Sequence, residues 1–285
     1  MNPSPISKIS LEGREFFIKR DDLIDPFLAG NKYRKLYTLL NTPSTTYQKI
    51  ISYGGTQSNA MLAIAALCKQ KGWEFEYLTK PIPQIHKHQE FGNFYNAKKL
   101  GMYHVEIDVN IYREYIASLS INADEKTFVL DQGGADRSAK EGLTVLAKEI
   151  RSEKELNIQA LATPSGTGTT ALFLALCMPE YIIYTVPCVG DSTYLKAQMQ
   201  ALHDIPDNLV ILEPKKKYHF AKLYPEFLDI YNNLKKAGVE FDLLYAPSMW
   251  LTLLEQTKEK VLYIHSGGVS GNESMLQRYQ AKGIM

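Results

Sequence analysis

The alternation of short apolar runs with helical patterns is the feature that most constrains the fold of this 285-residue chain. An apolar run over Lys49–Tyr53 precedes a helical pattern over Asn59–Lys71, and another run over Thr127–Leu130 precedes a helix over 139–151. The same order repeats from residue 159 to a last helix over 273–281. Strands that alternate with helices form parallel sheets with helices on both faces. The sequence therefore predicts an α/β protein built on central parallel sheets.

Glycine-rich turns follow four of the predicted strands, at positions 54–55, 133–134, 166–168 and 267–268. In parallel sheets, ligands bind beyond the carboxyl ends of the strands, where loops meet helix N-termini. The turn over 165–170 reads Ser-Gly-Thr-Gly-Thr-Thr, so that small residues bring backbone N–H groups together and hydroxyls add donors. It is predicted to bind a phosphate, and an ordinary turn with N-capping hydroxyls is the alternative. A Walker-type loop is excluded because no lysine follows the turn.

A basic cluster of Lys32, Arg34 and Lys35 stands at the start of a helix predicted over 32–40, after an extended segment over 15–19. Three cations at a helix N-terminus oppose the helix dipole, which favours negative charge there. A ligand anion among them removes this conflict, whereas a basic first turn of a surface helix is the alternative. A lysine buried among cations has a lowered pKa, which suits it to form a Schiff base with a carbonyl.

Two neighbouring motifs carry a family resemblance. They are Lys19-Arg20-Asp21-Asp22-Leu23 with Gly30-Asn31-Lys32-Tyr33-Arg34-Lys35-Leu36, and Ser52-Tyr53-Gly54-Gly55-Thr56-Gln57-Ser58-Asn59. On these motifs the chain resembles the pyridoxal-phosphate-dependent family that contains 1-aminocyclopropane-1-carboxylate deaminase and D-cysteine desulfhydrase. The family has the tryptophan synthase β-like fold, called fold type II. The resemblance implies a homodimer with two domains, a small α/β domain over 49–130 and a large cofactor-binding domain over 1–48 and 131–285.

The resemblance also implies how the chain would bind pyridoxal 5′-phosphate. Lys32 would be the catalytic lysine joined to the cofactor's aldehyde, Lys35 would reach the phosphate, and Asn59 would hydrogen-bond the 3′ oxygen. The turn residues assigned to the phosphate are Gly166, Thr167, Gly168, Thr169 and Thr170. Ser266 would contact the pyridine nitrogen, and a helix N-cap is the alternative role for this serine.

The substrate side of the site is assigned to Gln57, Ser58 and Gly134. Ser58 would face the substrate carboxylate or take part in proton transfer, and would therefore be a second catalytic residue. Gly134 belongs to a segment that lies near the substrate in the family. The substrate implied by the resemblance is a small amino acid.

One family pattern is altered in this chain. Family members carry Asp-Pro-x-Tyr-x-Gly-Lys before the last strand, and its tyrosine packs on the cofactor or acts on the substrate. Here the stretch Leu244-Tyr245-Ala246-Pro247-Ser248-Met249-Trp250 is interpreted as placing Ser248 at the tyrosine's position. Tyr245 or Tyr224 would then replace the phenol, or pack in the core. With a shortened loop over 218–222, this predicts an intact cofactor side and a changed substrate side.

The function that follows is that of a pyridoxal-phosphate-dependent lyase or deaminase, which releases ammonia and a 2-oxo acid. It would act like D-cysteine desulfhydrase or like 1-aminocyclopropane-1-carboxylate deaminase. A neutral Ser266 hydroxyl at the ring nitrogen makes the cofactor a weaker electron sink than an acid does, which favours β-elimination. The alternative is a non-catalytic or regulatory cofactor-binding relative with an altered substrate site.

Composition argues against several other classes of protein. Lys and Arg number 32 against 31 acids, a net charge of +1, so neither nucleic acid nor a membrane surface is an expected partner. Cys68, Cys177 and Cys188 are dispersed in apolar runs and are predicted to be reduced thiols of a cytoplasmic protein. The chain shows no long apolar run and no signal peptide. The pair His86-x-His88 is predicted to lie in an exposed loop without binding metal.

Overall fold

The computed structural model describes residues 3–87 and 90–285, which form ten strands and twelve α-helices. The strands are β1 (Ile6–Leu11), β2 (Arg14–Lys19), β3 (Lys49–Tyr53), β4 (Glu74–Thr79), β5 (Met102–Glu106), β6 (Thr127–Leu130), β7 (Ala160–Ala162), β8 (Ile182–Thr185), β9 (Leu209–Ile211) and β10 (Val261–Ile264). The helices are α1 (Gly30–Lys35), α2 (Tyr37–Asn41), α3 (Asn59–Lys71), α4 (Gln84–Lys87), α5 (Gly92–Lys99), α6 (Tyr112–Asn122), α7 (Ala139–Ser152), α8 (Thr169–Cys177), α9 (Ser192–Gln200), α10 (Pro225–Lys236), α11 (Ala246–Gln256) and α12 (Asn272–Ala281).

The strands form two sheets. The larger sheet has the order β1-β2-β10-β7-β8-β9, and the smaller has the order β5-β4-β3-β6. Every pairing is parallel except that of β1 with β2. The small sheet takes its strands from the segment 49–130, and the large sheet takes strands from both sides of it. The predicted α/β fold is confirmed, while the domain boundaries stay a prediction.

Strand β1 is an addition to the predicted pattern. Leu11 pairs with Arg14, and the two turn residues Glu12 and Gly13 both have positive φ, 49° and 73°. Two consecutive positive φ angles characterise the type I′ hairpin, whose twist matches that of the flanking strands. The hairpin therefore gives an otherwise parallel sheet one antiparallel edge.

Helices cover both sheets on both faces, as the alternating pattern predicts. On one face of the large sheet, Phe16, Trp250 and Tyr263 pack with α10 and α11. On the other face, Leu161 and Phe173 pack with α7, α8 and α9. The small sheet packs against α3 and α5 on one side and against α6 on the other. The strands are thus buried on both faces, and their carboxyl ends are left to form a site.

Two local features place the first functional residues. The helix predicted over 32–40 is two helices, α1 and α2, which meet at Leu36 with φ −91° and ψ 7°. Gly30 opens α1 with φ 59°, and a Cβ at Gly30 would lie 2.1 Å from the carbonyl carbon of Ser266. Only glycine permits this contact. It presses the start of α1 directly against the turn that follows β10.

Neither a helix long and apolar enough to cross a membrane nor a metal-binding cluster of His, Cys, Asp or Glu occurs among the described residues. His88 lies outside the described residues, so the absence of metal at the His86-x-His88 pair stays a prediction. Cys68, Cys177 and Cys188 are free.

Candidate active site

A cavity of about 360 Å³ opens at the carboxyl ends of both sheets. It collects residues from the turns after β3, β6, β7, β8 and β10, together with α1. The predicted site residues that line it are Lys32, Lys35, Gln57, Ser58, Asn59, Gly166, Thr167, Gly168, Thr170 and Ser266. Residues more than 230 positions apart in sequence are therefore brought to one chamber, although their individual roles stay predictions.

Lys32 presents its amine to this cavity. Its Nζ donates a hydrogen bond to Asn31 Oδ1 at 2.9 Å. Burial lowers the pKa of Lys32 from its ordinary 10.5 to about 8, and the negative charge of Asp242 partly opposes this shift. The main cause is therefore loss of water and not the cationic neighbours expected from the sequence. About a tenth of the amine is then neutral, and hence nucleophilic, near pH 7, far more than at its ordinary pKa.

Arg34 does not join the other two cations of its cluster. Its guanidinium is buried behind α1, with Nη2 2.7 Å from Asp21 Oδ1 and Nη1 2.7 Å from Glu149 Oε1. Glu149 also pairs with Lys19 at 2.7 Å. The idea that all three cations surround one anion is therefore wrong, because Arg34 finds its counter-charges within the protein.

Lys35 reaches the Ser-Gly-Thr-Gly-Thr-Thr turn. Its Nζ donates to Thr167 Oγ1 at 3.3 Å and to the Gly133 carbonyl at 3.2 Å. Burial, followed by the charge of Lys32, holds the pKa of Lys35 well below its ordinary value. A negatively charged ligand at the turn would reverse this penalty.

The turn itself has the donors of a phosphate cradle. Gly168 has φ 75° and precedes α8, and a Cβ at Gly168 would lie 2.5 Å from Met199. The N–H groups of Gly166, Thr167 and Gly168 find no acceptor among the described residues, and the first N–H groups of α8 have none within the helix. The hydroxyls of Thr167 and Thr169 lie 2.9 Å apart. Free N–H groups, hydroxyls and the Lys35 amine together fit a phosphate-bearing ligand.

Asn59 and Ser266 both line the cavity, and their roles towards the cofactor stay predictions. Asn59 Oδ1 accepts a hydrogen bond from Asn93 Nδ2 at 2.7 Å, so the Asn59 amide nitrogen is left to donate to a ligand oxygen. The Ser266 carbonyl accepts from Asn31 N at 3.3 Å, and the serine lines the cavity. The capping alternative for Ser266 is wrong, because Gly271 stands at the N-cap of α12.

The substrate-side residues have mixed surroundings. Ser58 lines the cavity but also caps α3, since its Oγ accepts from Met61 N at 3.2 Å. The Gln57 carbonyl accepts from Asn93 Nδ2 at 3.1 Å. Gly134 is buried, and the atoms nearest to a Cβ built there belong to Lys35. Its neighbour Gly133 lines the cavity, whereas Gly134 is not among the lining residues. The substrate roles of Gln57, Ser58 and Gly134 stay predictions.

The assignment of Ser248 to the tyrosine position is wrong. Ser248 is buried within α11 and is not among the residues that line the cavity. Tyr245 lines it, and a Cβ at Gly166 would lie 3.4 Å from Tyr245 Cε1. Asp242 and Tyr245 repeat the Asp-x-x-Tyr spacing of the family pattern, which indicates that the phenol is kept. Tyr224 is not a substitute, because its ring packs on Tyr218 and Phe227.

Asp242 is a residue that the motif comparison missed. It is 2% exposed, and its Oδ1 accepts hydrogen bonds from Leu244 N at 3.0 Å and Tyr245 N at 2.6 Å. Burial raises the pKa of this carboxyl to about 6, against the opposing effect of the backbone N–H groups. Asp242 therefore fixes the start of α11 and with it the position of Tyr245. The Asp-x-x-Tyr spacing in the sequence was the signal from which both residues could have been identified.

Comparison with solved structures identifies the fold class. A crystal structure described as an ACC deaminase homologue superposes with a TM-score of 0.79 at 21% identity, covering 97% of this chain and 94% of that one. Serine racemase from Dictyostelium discoideum superposes with a TM-score of 0.66 at 13% identity, covering 94% and 92%. The protein has the fold of the fold type II enzymes.

Curated relatives narrow the class. No protein-family model matches the sequence. A Thermotoga maritima protein named "Putative 1-aminocyclopropane-1-carboxylate deaminase" is 23% identical over 95% of both chains. A Yersinia enterocolitica D-cysteine desulfhydrase is 25% identical over 70% of this chain and 64% of its own. The predicted resemblance is confirmed: over most of its length the chain is similar to proteins named 1-aminocyclopropane-1-carboxylate deaminase and D-cysteine desulfhydrase.

Proposed function

We propose that the protein binds pyridoxal 5′-phosphate covalently through Lys32 and removes the amino group of a small amino acid, releasing ammonia and a 2-oxo acid. One observation carries the proposal. A buried amine with its pKa lowered to about 8 faces the same cavity as a cradle of unpaired N–H groups, hydroxyls and the Lys35 amine. An aldehyde that bears a phosphate satisfies both ends of this arrangement at once.

Each of these features of the cavity has a task in this function. The Lys35 amine and the turn at 166–170 hold the phosphate, and the Asn59 amide orients the ring through its oxygen. When bound, the cofactor draws electrons from the α-carbon of an attached amino acid, which makes the α proton acidic. Lys32 and Ser58 would then move protons, and Tyr245 lines the same chamber.

β-Elimination, the D-cysteine desulfhydrase-like reaction, is the form of this chemistry that we favour. Ser266 offers the ring nitrogen a hydroxyl. Among the described residues that line the cavity, Asp131 is the one carboxylate, and it accepts a hydrogen bond from the Tyr53 hydroxyl at 3.0 Å. The described part of the chamber has no second acid that would protonate the ring nitrogen. The cofactor would then be a weaker electron sink, which favours departure of a β leaving group over opening of a cyclopropane ring.

The covalent attachment is tested by reduction and mass spectrometry. Protein reconstituted with pyridoxal 5′-phosphate is reduced with borohydride and digested, and the added mass is expected on the peptide that contains Lys32. The variant Lys32→Ala is expected to show no adduct, while Lys69→Ala, which removes an exposed lysine, keeps it. An adduct on another lysine, or none, would contradict the proposal.

Turnover is tested with D- and L-amino acids and the cyclopropane amino acid, each assayed for ammonia and for a 2-oxo acid. The alternative of a non-catalytic or regulatory relative rested on a missing tyrosine, and the position of Tyr245 in the cavity weakens it. Release of both products from any one substrate removes this alternative. The homodimer, the cytoplasmic location and the absence of nucleic-acid and membrane partners remain predictions.

A further inference from the structure

Phe220 combines solvent exposure with a place in the active cavity. Its side chain is 40% exposed, yet it lines the cavity and its ring centroid lies 5.2 Å from that of Tyr245. Such a position leaves a large part of an apolar surface in water, which is unfavourable. Single exposed apolar side chains are common in folded proteins, so the exposure matters here because the ring also borders the cavity.

The loop that carries Phe220 is held firmly in place. Ala221 has φ 58°, a left-handed conformation that is rare and strained for a residue with a Cβ. The Ala221 carbonyl accepts a hydrogen bond from Arg278 Nη2 at 2.8 Å, and His219 N donates to the Tyr224 hydroxyl at 3.0 Å. Two anchors on either side of Phe220 thus maintain a strained backbone whose effect is to turn this ring towards Tyr245.

Val189 is a second apolar residue that lines the cavity. Its neighbour Cys188 places Sγ 3.5 Å from the Tyr245 carbonyl. Tyr245 is fixed in turn by the hydrogen bond from its N–H to Asp242. Val189, Phe220 and Tyr245 are apolar or aromatic residues of the cavity lining, here called the apolar wall, and the charged side chains described in the cavity, Lys32, Lys35 and Asp131, are not among them.

We propose that Phe220 is a specificity-determining residue that limits the length of the substrate side chain. The inference rests on the proposed function, since it takes an amino acid as the ligand. Val189 and Tyr245 are held by buried structure, whereas Phe220 stands between the cavity and solvent. Its removal opens the apolar wall outward, so that a longer unbranched side chain passes through the gap. The wall carries no charge to bind a charged side chain.

The test measures binding and not turnover. Calorimetric dissociation constants are determined for the cofactor-loaded enzyme with alanine, 2-aminobutyrate, norvaline and norleucine in both configurations. Wild-type protein is expected to lose affinity as the chain lengthens. In Phe220→Ala, the affinity for norleucine relative to alanine is expected to rise by about tenfold or more, the order of magnitude that apolar pockets show for added methylenes.

Three variants make the outcome decisive. Phe220→Tyr keeps the ring and is expected to keep the wild-type length profile, and Phe220→Leu is expected to lie between wild type and Phe220→Ala. Tyr115→Ala removes an aromatic side chain of 39% exposure on α6 and is expected to leave the profile unchanged. A Phe220→Ala profile identical to wild type would overturn the inference alone. Wild-type protein that binds no amino acid would overturn both the inference and the proposed function.

Discussion

The two sides of helix α1 differ in whether an enclosed positive charge has an acidic partner. On the side away from the cavity, Arg34 is 2% exposed and makes ion pairs of 2.7 Å with both Asp21 and Glu149. On the cavity side, Lys32 and Lys35 are also enclosed, but neither has a carboxylate within ion-pair distance among the described residues. Their nitrogens bond to neutral oxygens of Asn31, Gly133 and Thr167.

The pKa shifts follow the same division. Burial acts to lower the pKa of Arg34, but hydrogen bonds and charges from Asp21 and Glu149 outweigh it and raise the value. For Lys32 and Lys35, burial acts with little compensation and the pKa falls. Since a buried charge without a partner is unfavourable, the cavity side is built for a partner that the chain does not supply. One helix thus separates a structural cation, Arg34, from two cations that have no acidic partner among the described residues.

Removal of the structural cation is expected to have the largest effect. Arg34→Met leaves the buried Asp21 without its ion-pair partner and leaves Glu149 with Lys19 alone, which costs about 3–5 kcal/mol of unfolding free energy. Urea denaturation of the protein without cofactor measures this loss. Arg151→Met is the matched control, because Arg151 pairs with Glu180 at 2.7 Å in a largely exposed position and is expected to cost less than about 1 kcal/mol. Equal losses in the two variants would remove the distinction between the two sides of α1.

The pH dependence of stability is expected to report on Lys32. Between about pH 8 and 10.5 the unfolded lysine stays protonated while the folded one has lost its proton. The unfolded state then binds more protons, so stability rises with pH across this window and is flat with respect to Lys32 below it. The rise amounts to at most about 3 kcal/mol. It is measured as the difference between wild type and Lys32→Met in urea denaturation at several pH values, and parallel curves would show that the amine is not perturbed.

Removal of Lys35, one of the two cations without an acidic partner, is expected to have the smallest effect on stability and the opposite sign. Lys35→Met deletes a buried charge that lacks an acidic partner, so the cofactor-free protein is expected to be unchanged or more stable by up to about 1 kcal/mol. The same change removes a charge-assisted contact to the phosphate, so affinity for pyridoxal 5′-phosphate falls by about tenfold or more. Fluorescence titration and urea denaturation give the two values. A loss of stability as large as that of Arg34→Met would contradict the comparison.

Local patterns in the sequence were enough to predict much of the fold. The bounds of β3, α3 and β6 agree with the prediction, since each is set by neighbours in sequence, such as the Ser58 cap and the left-handed Gly72 of α3. Strand β1 was missed because its pairing depends on a turn in which a glutamate adopts positive φ, and glutamate has no preference for that conformation.

The cofactor side of the cavity and its apolar wall also differ in how far the sequence predicts them. Lys32, Lys35 and Asn59 occupy two short motifs, so the sequence alone brings them to notice. Phe220 and Val189 come from separate loops, and only the folded chain brings them to Tyr245. The misplacement of the tyrosine at Ser248 has a different origin, because the Asp242-x-x-Tyr245 spacing is present in the sequence; the contact of Tyr245 with Gly166 agrees with that spacing.

The contact between Gly30 and the backbone of Ser266 has a consequence for biosynthesis. Strand β2 pairs with β10, so the lysine-bearing helix rests on a segment translated more than 200 residues later. A ribosome-bound chain that still holds β10 in the exit tunnel has made its lysine but not the surface on which that lysine is positioned. Under the proposed function, Lys32 is therefore positioned for the cofactor only after β10 has left the tunnel and paired with β2.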